Sequence, residues 1–211
     1  MALAATHIRL ALDMADRTPV NHLSQFISGT IYPDSRWLTG INRNLTHGDR
    51  FLQKDFARSD FTYGWHVHCL VDHVQARLYK TLFPDAEAMD RQQRWILLSA
   101  AKVIQDRHDL DKFDLQGGIA LLNYAEAPAG EDIQLVRAFN RIIRETYKDR
   151  DKNHLPDYYN LWTGVGLDAM VAAKVIDQVQ KLLSDTSLVT KIESTYAKIV
   201  GSPAFLQNKA Q

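Results

Sequence analysis

A single cysteine, Cys69, excludes an intrachain disulfide framework and fits a reducing compartment. No apolar run approaches the roughly 18 residues that a membrane span needs. Neither charge sign is in excess: 25 basic residues balance 25 acidic ones, so no overall basic field argues for nucleic acid or an anionic membrane. Only Met1 to Ala5 precede the first helical pattern, without a charged leader or a long apolar core, so no signal peptide is expected. Strand pairs, repeats and low-complexity tracts are missing as well. So is a Gly-x-Ser-x-Gly elbow, and Gly164 and Gly166 lack the strand context and third glycine of a dinucleotide fingerprint. These absences predict a soluble, cytoplasmic, all-α protein: one compact domain over 1–211, of about eight helices.

Helical periodicity is what the chain does have. Leu3, His7, Leu10 and Met14 recur along a first helix over Ala2–Asp16, which puts His7 in the inward stripe. A short helix over Val20–Ser28 follows. From Gly29 through Gly48 no period is sustained, and Pro33 biases Tyr32 away from helix, so this stretch reads as a long loop carrying Asp34, Arg36, Arg43 and His47. Downstream, helices are predicted over Asp49–Arg58, Asp85–Arg107, Phe113–Tyr124 (weakened at Gly117-Gly118), Glu131–Lys148, Asp157–Thr163, Leu167–Leu183 and Ser187–Val200, with a charged connection over Asp149–Pro156 and a frayed tail after Gly201. Arg137, Arg141, Arg144 and Lys148 line one side of their helix and read as a solvated face.

The helix from Asp60 to Pro84 carries the sharpest signal. His68 and Asp72 lie one turn apart, so an imidazole and a carboxylate reach the same side of the axis. That is half of a divalent metal site, or a core histidine bonded to its i+4 carboxylate. Val67, Leu70, Val71, Val74, Leu78 and Leu82 form the apolar stripe, with Phe61, Gly64, Trp65 and Asp72 near His68 at its margin. His66 and His73 fall toward the opposite side. Gly64, one turn before His68, leaves room for another backbone. Ser59 or Asp60 can cap the helix.

Four pieces in order resemble the zinc-dependent phospholipase C family, which is related at fold level to the P1-type nucleases. They are Thr6-His7, Gly29-x-x-x-Pro33-Asp34, Thr46-His47 and Phe61-x-x-Gly64-x-x-x-His68-x-x-x-Asp72, together about the first third of the chain. The resemblance implies a helical fold of that kind and one or two zinc or other divalent ions. Asp34, His47, His68 and Asp72 would hold one ion, and Asp72 would bridge to a second, to which His7 contributes. It further implies hydrolysis of a small-molecule or lipid phosphoester, with water activated between the ions. Asp34 would orient or deprotonate that water, and Arg36 and Arg43 would meet the phosphate. The chain departs from the family at Leu78, where the secreted enzymes carry a further histidine, and at Met1, where they carry a ligating tryptophan. A second ion's remaining ligands would then come from elsewhere, first from His108, with Asp109 and His73 behind it.

Two other readings stay open. His108-Asp109 is the dipeptide of helical HD phosphohydrolases, which His68 and Asp168 would complete. A helical binding or structural protein with packed histidines is the non-enzymatic alternative. Cys69 points about 100° away from His68, against a Cys–His dyad.

Overall fold

Ser59 and Thr62 begin the longest helix. The Thr62 amide donates to Ser59 Oγ at 3.2 Å and the Ser59 amide donates to Thr62 Oγ1 at 2.9 Å, a reciprocal cap at the start of Asp60–Leu82. The computed structural model describes residues 3–148 and 154–207. Among these there is no strand. The helices are α1 (Ala4–Ala15), α2 (Leu23–Ile31), α3 (Arg36–Thr39), α4 (Asp60–Leu82), α5 (Arg91–Asp109), α6 (Leu115–Ala120), α7 (Ile133–Tyr147), α8 (Leu155–Gly164), α9 (Ala169–Leu183), α10 (Thr186–Glu193), α11 (Thr195–Val200) and α12 (Pro203–Leu206). The all-α expectation holds; the number of helical segments is higher than expected because several are a turn or two long.

Close approach of α2 and α4 organises the rest. A Cβ on Gly64 would collide with the Phe26 carbonyl of α2, and a Cβ on Gly29 with the Phe61 carbonyl of α4. The two helices thus touch backbone to backbone at paired glycines, which ordinary side chains would prevent. The same crossing brings the Thr30 carbonyl to His68. A buried apolar cluster extends outward from there, from Leu3 on α1 through Val67 and Val71 on α4 and Val103 on α5 to Phe205 on α12. A second cluster, Tyr32, Phe51, Phe61, Trp65, Cys69 and Val136, anchors the segment before α4. There Phe51 stacks on Trp65 at 4.4 Å, and Trp65 Nε1 donates to the Thr46 carbonyl at 2.7 Å.

Several sequence expectations need correction. The stretch from Gly29 to Gly48 is mostly helical: α2 runs to Ile31, a 3-10 turn covers Tyr32–Ser35, and α3 ends at Gly40 with φ 72°. Pro33 sits at the start of that turn, where its fixed φ and missing N–H cost nothing, and Tyr32 stays helical. Asp49–Arg58 is two 3-10 turns, Asp49–Leu52 and Lys54–Phe56, held by Phe51 and Phe56 against Trp65. Asp90 caps α5, so the helix starts later than Asp85. Asp114 caps α6, which ends at Ala120. The connection expected over Asp149–Pro156 lies partly outside the described residues, and α8 begins before its end, at Leu155. Ser187–Val200 is split at Ser194, and the tail after Gly201 turns once more to bury Phe205 completely. His66 is buried too, its Nδ1 2.7 Å from the Phe51 carbonyl.

What holds α1 in place comes from far along the chain. Its N-cap, Leu3, has no side-chain cap, and the third helical amide, Thr6 N–H, donates to Asp106 Oδ1 of α5 at 2.9 Å. Asp106 therefore supplies in trans the anion that a helix start favours. Its Oδ2 accepts from Tyr147 at 2.8 Å and Tyr158 at 2.9 Å, while Thr6 Oγ1 and Arg9 donate to Asp109 at 2.8 and 2.7 Å. Burial pushes the Asp106 carboxyl up to about 7, against three hydrogen bonds that favour its anion. An unfolded aspartate titrates near 3.9, so between about pH 4 and 7 the folded state binds the extra proton. Stability contributed by that proton is complete below pH 4 and is lost as the pH rises toward 7. Asp106→Asn should remove this slope, so urea midpoints of wild type and variant should converge or cross between pH 4.5 and 7.5, with a relative change of a few kcal/mol at about 1.4 kcal/mol per pH unit. Parallel curves would refute a buried, proton-binding Asp106.

Candidate metal centre

Five of the predicted residues converge. His7 comes from the middle of α1, Asp34 from the 3-10 turn after α2, His47 from the segment before α4, and His68 and Asp72 from α4 itself. His47 Nε2 lies 3.6 Å from Asp34 Oδ1, 3.6 Å from Asp72 Oδ2 and 3.1 Å from His68 Nε2, and His68 Nε2 lies 3.8 Å from Asp72 Oδ2. Around a tetrahedral zinc with bonds of about 2.0–2.1 Å, ligand atoms sit about 3.3–3.4 Å apart. The spacing fits.

Hydrogen bonds behind the rings fix which nitrogen faces the centre. The Thr30 carbonyl, 2.8 Å from His68 Nδ1, can only accept, so Nδ1 carries the proton. Thr46 Oγ1 donates to the Arg43 carbonyl at 3.2 Å and so accepts from His47 Nδ1 at 2.7 Å. Both Nε2 atoms are then bare lone pairs facing each other at 3.1 Å, flanked by two carboxylate oxygens. Four acceptors converge with no donor among them. Such a set repels itself unless a cation sits between, and outer partners on Nδ1 are how proteins orient ligating histidines.

Protonation states agree. Burial, with Asp34 and Asp72 opposing it, lowers His68 to about 4, and burial together with His68 holds His7 well below the usual imidazole range. Burial would raise the two carboxyls, but His68 and His47 outweigh it and hold Asp34 at about 2, and His68, Lys102 and His7 hold Asp72 well below the usual range. Near neutral pH His7 and His68 are neutral and Asp34 and Asp72 ionised, as metal ligation requires.

His7 stands on a separate side. Its ring stacks on His68 at 4.0 Å, its Nε2 lies 3.7 Å from Asp72 Oδ1, and neither ring nitrogen has a hydrogen-bond partner. Asp72 thus offers Oδ2 to the four-atom set and Oδ1 to His7. His68 has only one unprotonated nitrogen, so it serves one ion and not two. Among the described residues two triads share His68, Asp34 with His47 and His7 with Asp72, each with its ligand atoms within 4.8 Å of one another.

His108, expected as a further ligand, is a correction: it is half-buried elsewhere, with Nδ1 3.6 Å from Glu193. Asp109 is engaged by Thr6 and Arg9, and Asp168 caps α9 through the Met170 and Val171 amides, so the HD arrangement does not assemble. Arg36 lies with its guanidinium 4.2 Å over the Trp37 ring, its Nε buried without a partner. Arg43 is exposed and lines a cavity of about 190 Å³ with His47, Asp49, Asp72 and His73. On the opposite side, His7 and Asp34 border a small apolar cavity lined by Leu3, Ile31, Trp37, Phe139 and Trp162. The cluster thus lies between two cavities, a polar one beside His47 and Asp72 and a small apolar one of about 30 Å³ beside His7 and Asp34. A larger open groove, of about 600 Å³ between Thr18 and His66, contains none of the five residues.

Known families, curated proteins and solved structures contain no match to this chain. The geometry stands alone. Sequence reasoning missed the Thr30 carbonyl, the Thr46 hydroxyl and Lys102. Thr46 left a trace as the neighbour of His47, whereas a backbone carbonyl leaves none.

Proposed function

We propose that the chain is a metal-dependent phosphoester hydrolase, similar in its site to the zinc-dependent phospholipase C family, with zinc or another divalent ion held by Asp34, His47, His68 and Asp72. The observation that carries this reading is the meeting of two unprotonated Nε2 atoms at 3.1 Å beside two carboxylates. Two imidazoles and two carboxylates suit a borderline divalent cation. When bound, such an ion supplies Lewis acidity for a phosphoryl oxygen and lowers the pKa of water to about 7.

The chain's own residues do the rest. Asp34 offers a second carboxylate oxygen to orient the attacking water and take its proton. Arg36 and Arg43 bind the phosphate oxygens. Ile31, Trp37 and Trp162 give the site an apolar flank, which strengthens the charge interactions beside it. Leu78 stands where the secreted enzymes carry a further histidine, so this chain supplies no ligand there.

Metal-loaded protein should hydrolyse a phosphomonoester or phosphodiester from a generic panel, fall silent with a chelator, and recover on addition of a divalent ion. Asp34→Asn should cost about 10²-fold or more in turnover while its helical circular dichroism stays unchanged. Metal-loaded protein that turns over neither ester type would move the assignment to a non-catalytic helical binding protein.

A further inference from the structure

The small cavity beside His7 and Asp34 is lined mostly by hydrocarbon. Only His7, Asp34 and the indoles of Trp37 and Trp162 bring polar side chains to it. Trp162, on α8, is 2 % exposed, and its Nε1 is buried with no hydrogen-bond partner. Asp34 Oδ1 and both ring nitrogens of His7 are in the same position. Three side chains, from α1, from the turn after α2 and from α8, thus carry unsatisfied polar atoms around one space. Such atoms are costly to bury unless something meets them.

Their chemistry narrows what can. An indole N–H only donates, an ionised carboxylate only accepts, and a neutral imidazole does one at each nitrogen. A cation is turned away by the indole N–H, and an anion by Asp34. The occupant must therefore be neutral and must both donate and accept. Size is the second limit, since the cavity measures about 30 Å³. One water needs roughly 10–15 Å³ of such space and makes about three hydrogen bonds when buried.

We infer that this cavity binds one ordered water, which joins the Trp162 indole N–H to Asp34 and His7 and makes Trp162 a positioning residue for the metal centre. Asp34 and His7 then gain an outer partner, as His68 has in the Thr30 carbonyl and His47 in the Thr46 hydroxyl. The positioning role rests on the metal centre of the proposed function, and neither readout needs turnover. In isotope-labelled protein observed by NMR, the Trp162 indole N–H, one of four in the chain, should show a cross-peak to a long-lived bound water. By calorimetry, Trp162→Phe should bind zinc about tenfold more weakly, at the low end of what losing an outer partner costs. Phe139→Leu, on the same lining, is the packing control: it should lower the melting temperature and leave zinc affinity unchanged. The wild-type cross-peak decides the water site even if Trp162→Phe does not fold. A missing cross-peak overturns the inference. So does a zinc affinity that falls equally in both variants, the mark of packing alone, or in neither. A cross-peak in protein that takes up no zinc upholds the water site and overturns both the positioning role and the metal centre.

Discussion

Alanine in place of His68 should leave a protein that no longer retains zinc through gel filtration. His68 contributes one of the two facing Nε2 atoms and belongs to both candidate triads, so its loss takes a ligand from each. Asp72→Ala should do the same. Thr46→Val, which removes only the oxygen behind His47, should cost the smaller factor of about 10–100 in affinity that an outer partner costs. Stability should follow the same order. An ion present at a thousand times its dissociation constant adds about 4 kcal/mol to a fold that binds it only when folded. Added zinc should therefore raise the melting temperature of wild type, raise that of Thr46→Val less, and leave His68→Ala unmoved. Zinc content unchanged in both His68→Ala and Asp72→Ala would dismiss the centre.

Gly64→Ala, like Gly29→Ala, should be severely damaging for a single methyl group. The added Cβ meets the Phe26 carbonyl, which belongs to a helix backbone and cannot swing aside as a side-chain tip could. The α2–α4 crossing must open, and overpacking of this kind costs about 3 kcal/mol or more. Opening it also withdraws the Thr30 carbonyl from His68, so zinc affinity should fall although Gly64 touches no ligand. Gly164→Ala is the control: its Cβ would meet only Ile142, at 3.6 Å, an ordinary contact. Urea midpoints that are alike for the two variants would show that α2 and α4 do not cross as described.

Much of this site was legible because its residues obey local rules. His68 and Asp72 declare themselves by helical spacing, and Gly64 by sitting one turn before a candidate ligand. Asp34 and His47 became legible only as members of an ordered pattern, since Pro-Asp alone is a turn and His-Gly alone a loop. The stretch after Gly29 hides its helix because Pro33 signals a break from the sequence, whereas within the first two positions of a helical turn it is a starter. Gly29 stands in that ordered pattern, but its packing role gave no sign, for its partner is a carbonyl more than thirty residues away. His108 failed for the opposite reason: the dipeptide was right, but its direction depends on α5 packing against α1 and α10, which no local pattern encodes. The Asp106 clamp on α1 was likewise invisible. Its donors, Thr6, Tyr147 and Tyr158, lie 41 to 100 positions from it.

That clamp bears on how the protein is made. Asp34, His47, His68 and Asp72 leave the ribosome as a near neighbourhood, and the α2–α4 crossing joins helices close in sequence. The first helix, though born first, has its amide end satisfied only by α5, and Asp106 in turn waits for tyrosines on α7 and α8. The growing chain should thus close the four-atom set early and dock His7 late, so that a nascent protein captures its ion before the histidine on the other side of Asp72 arrives.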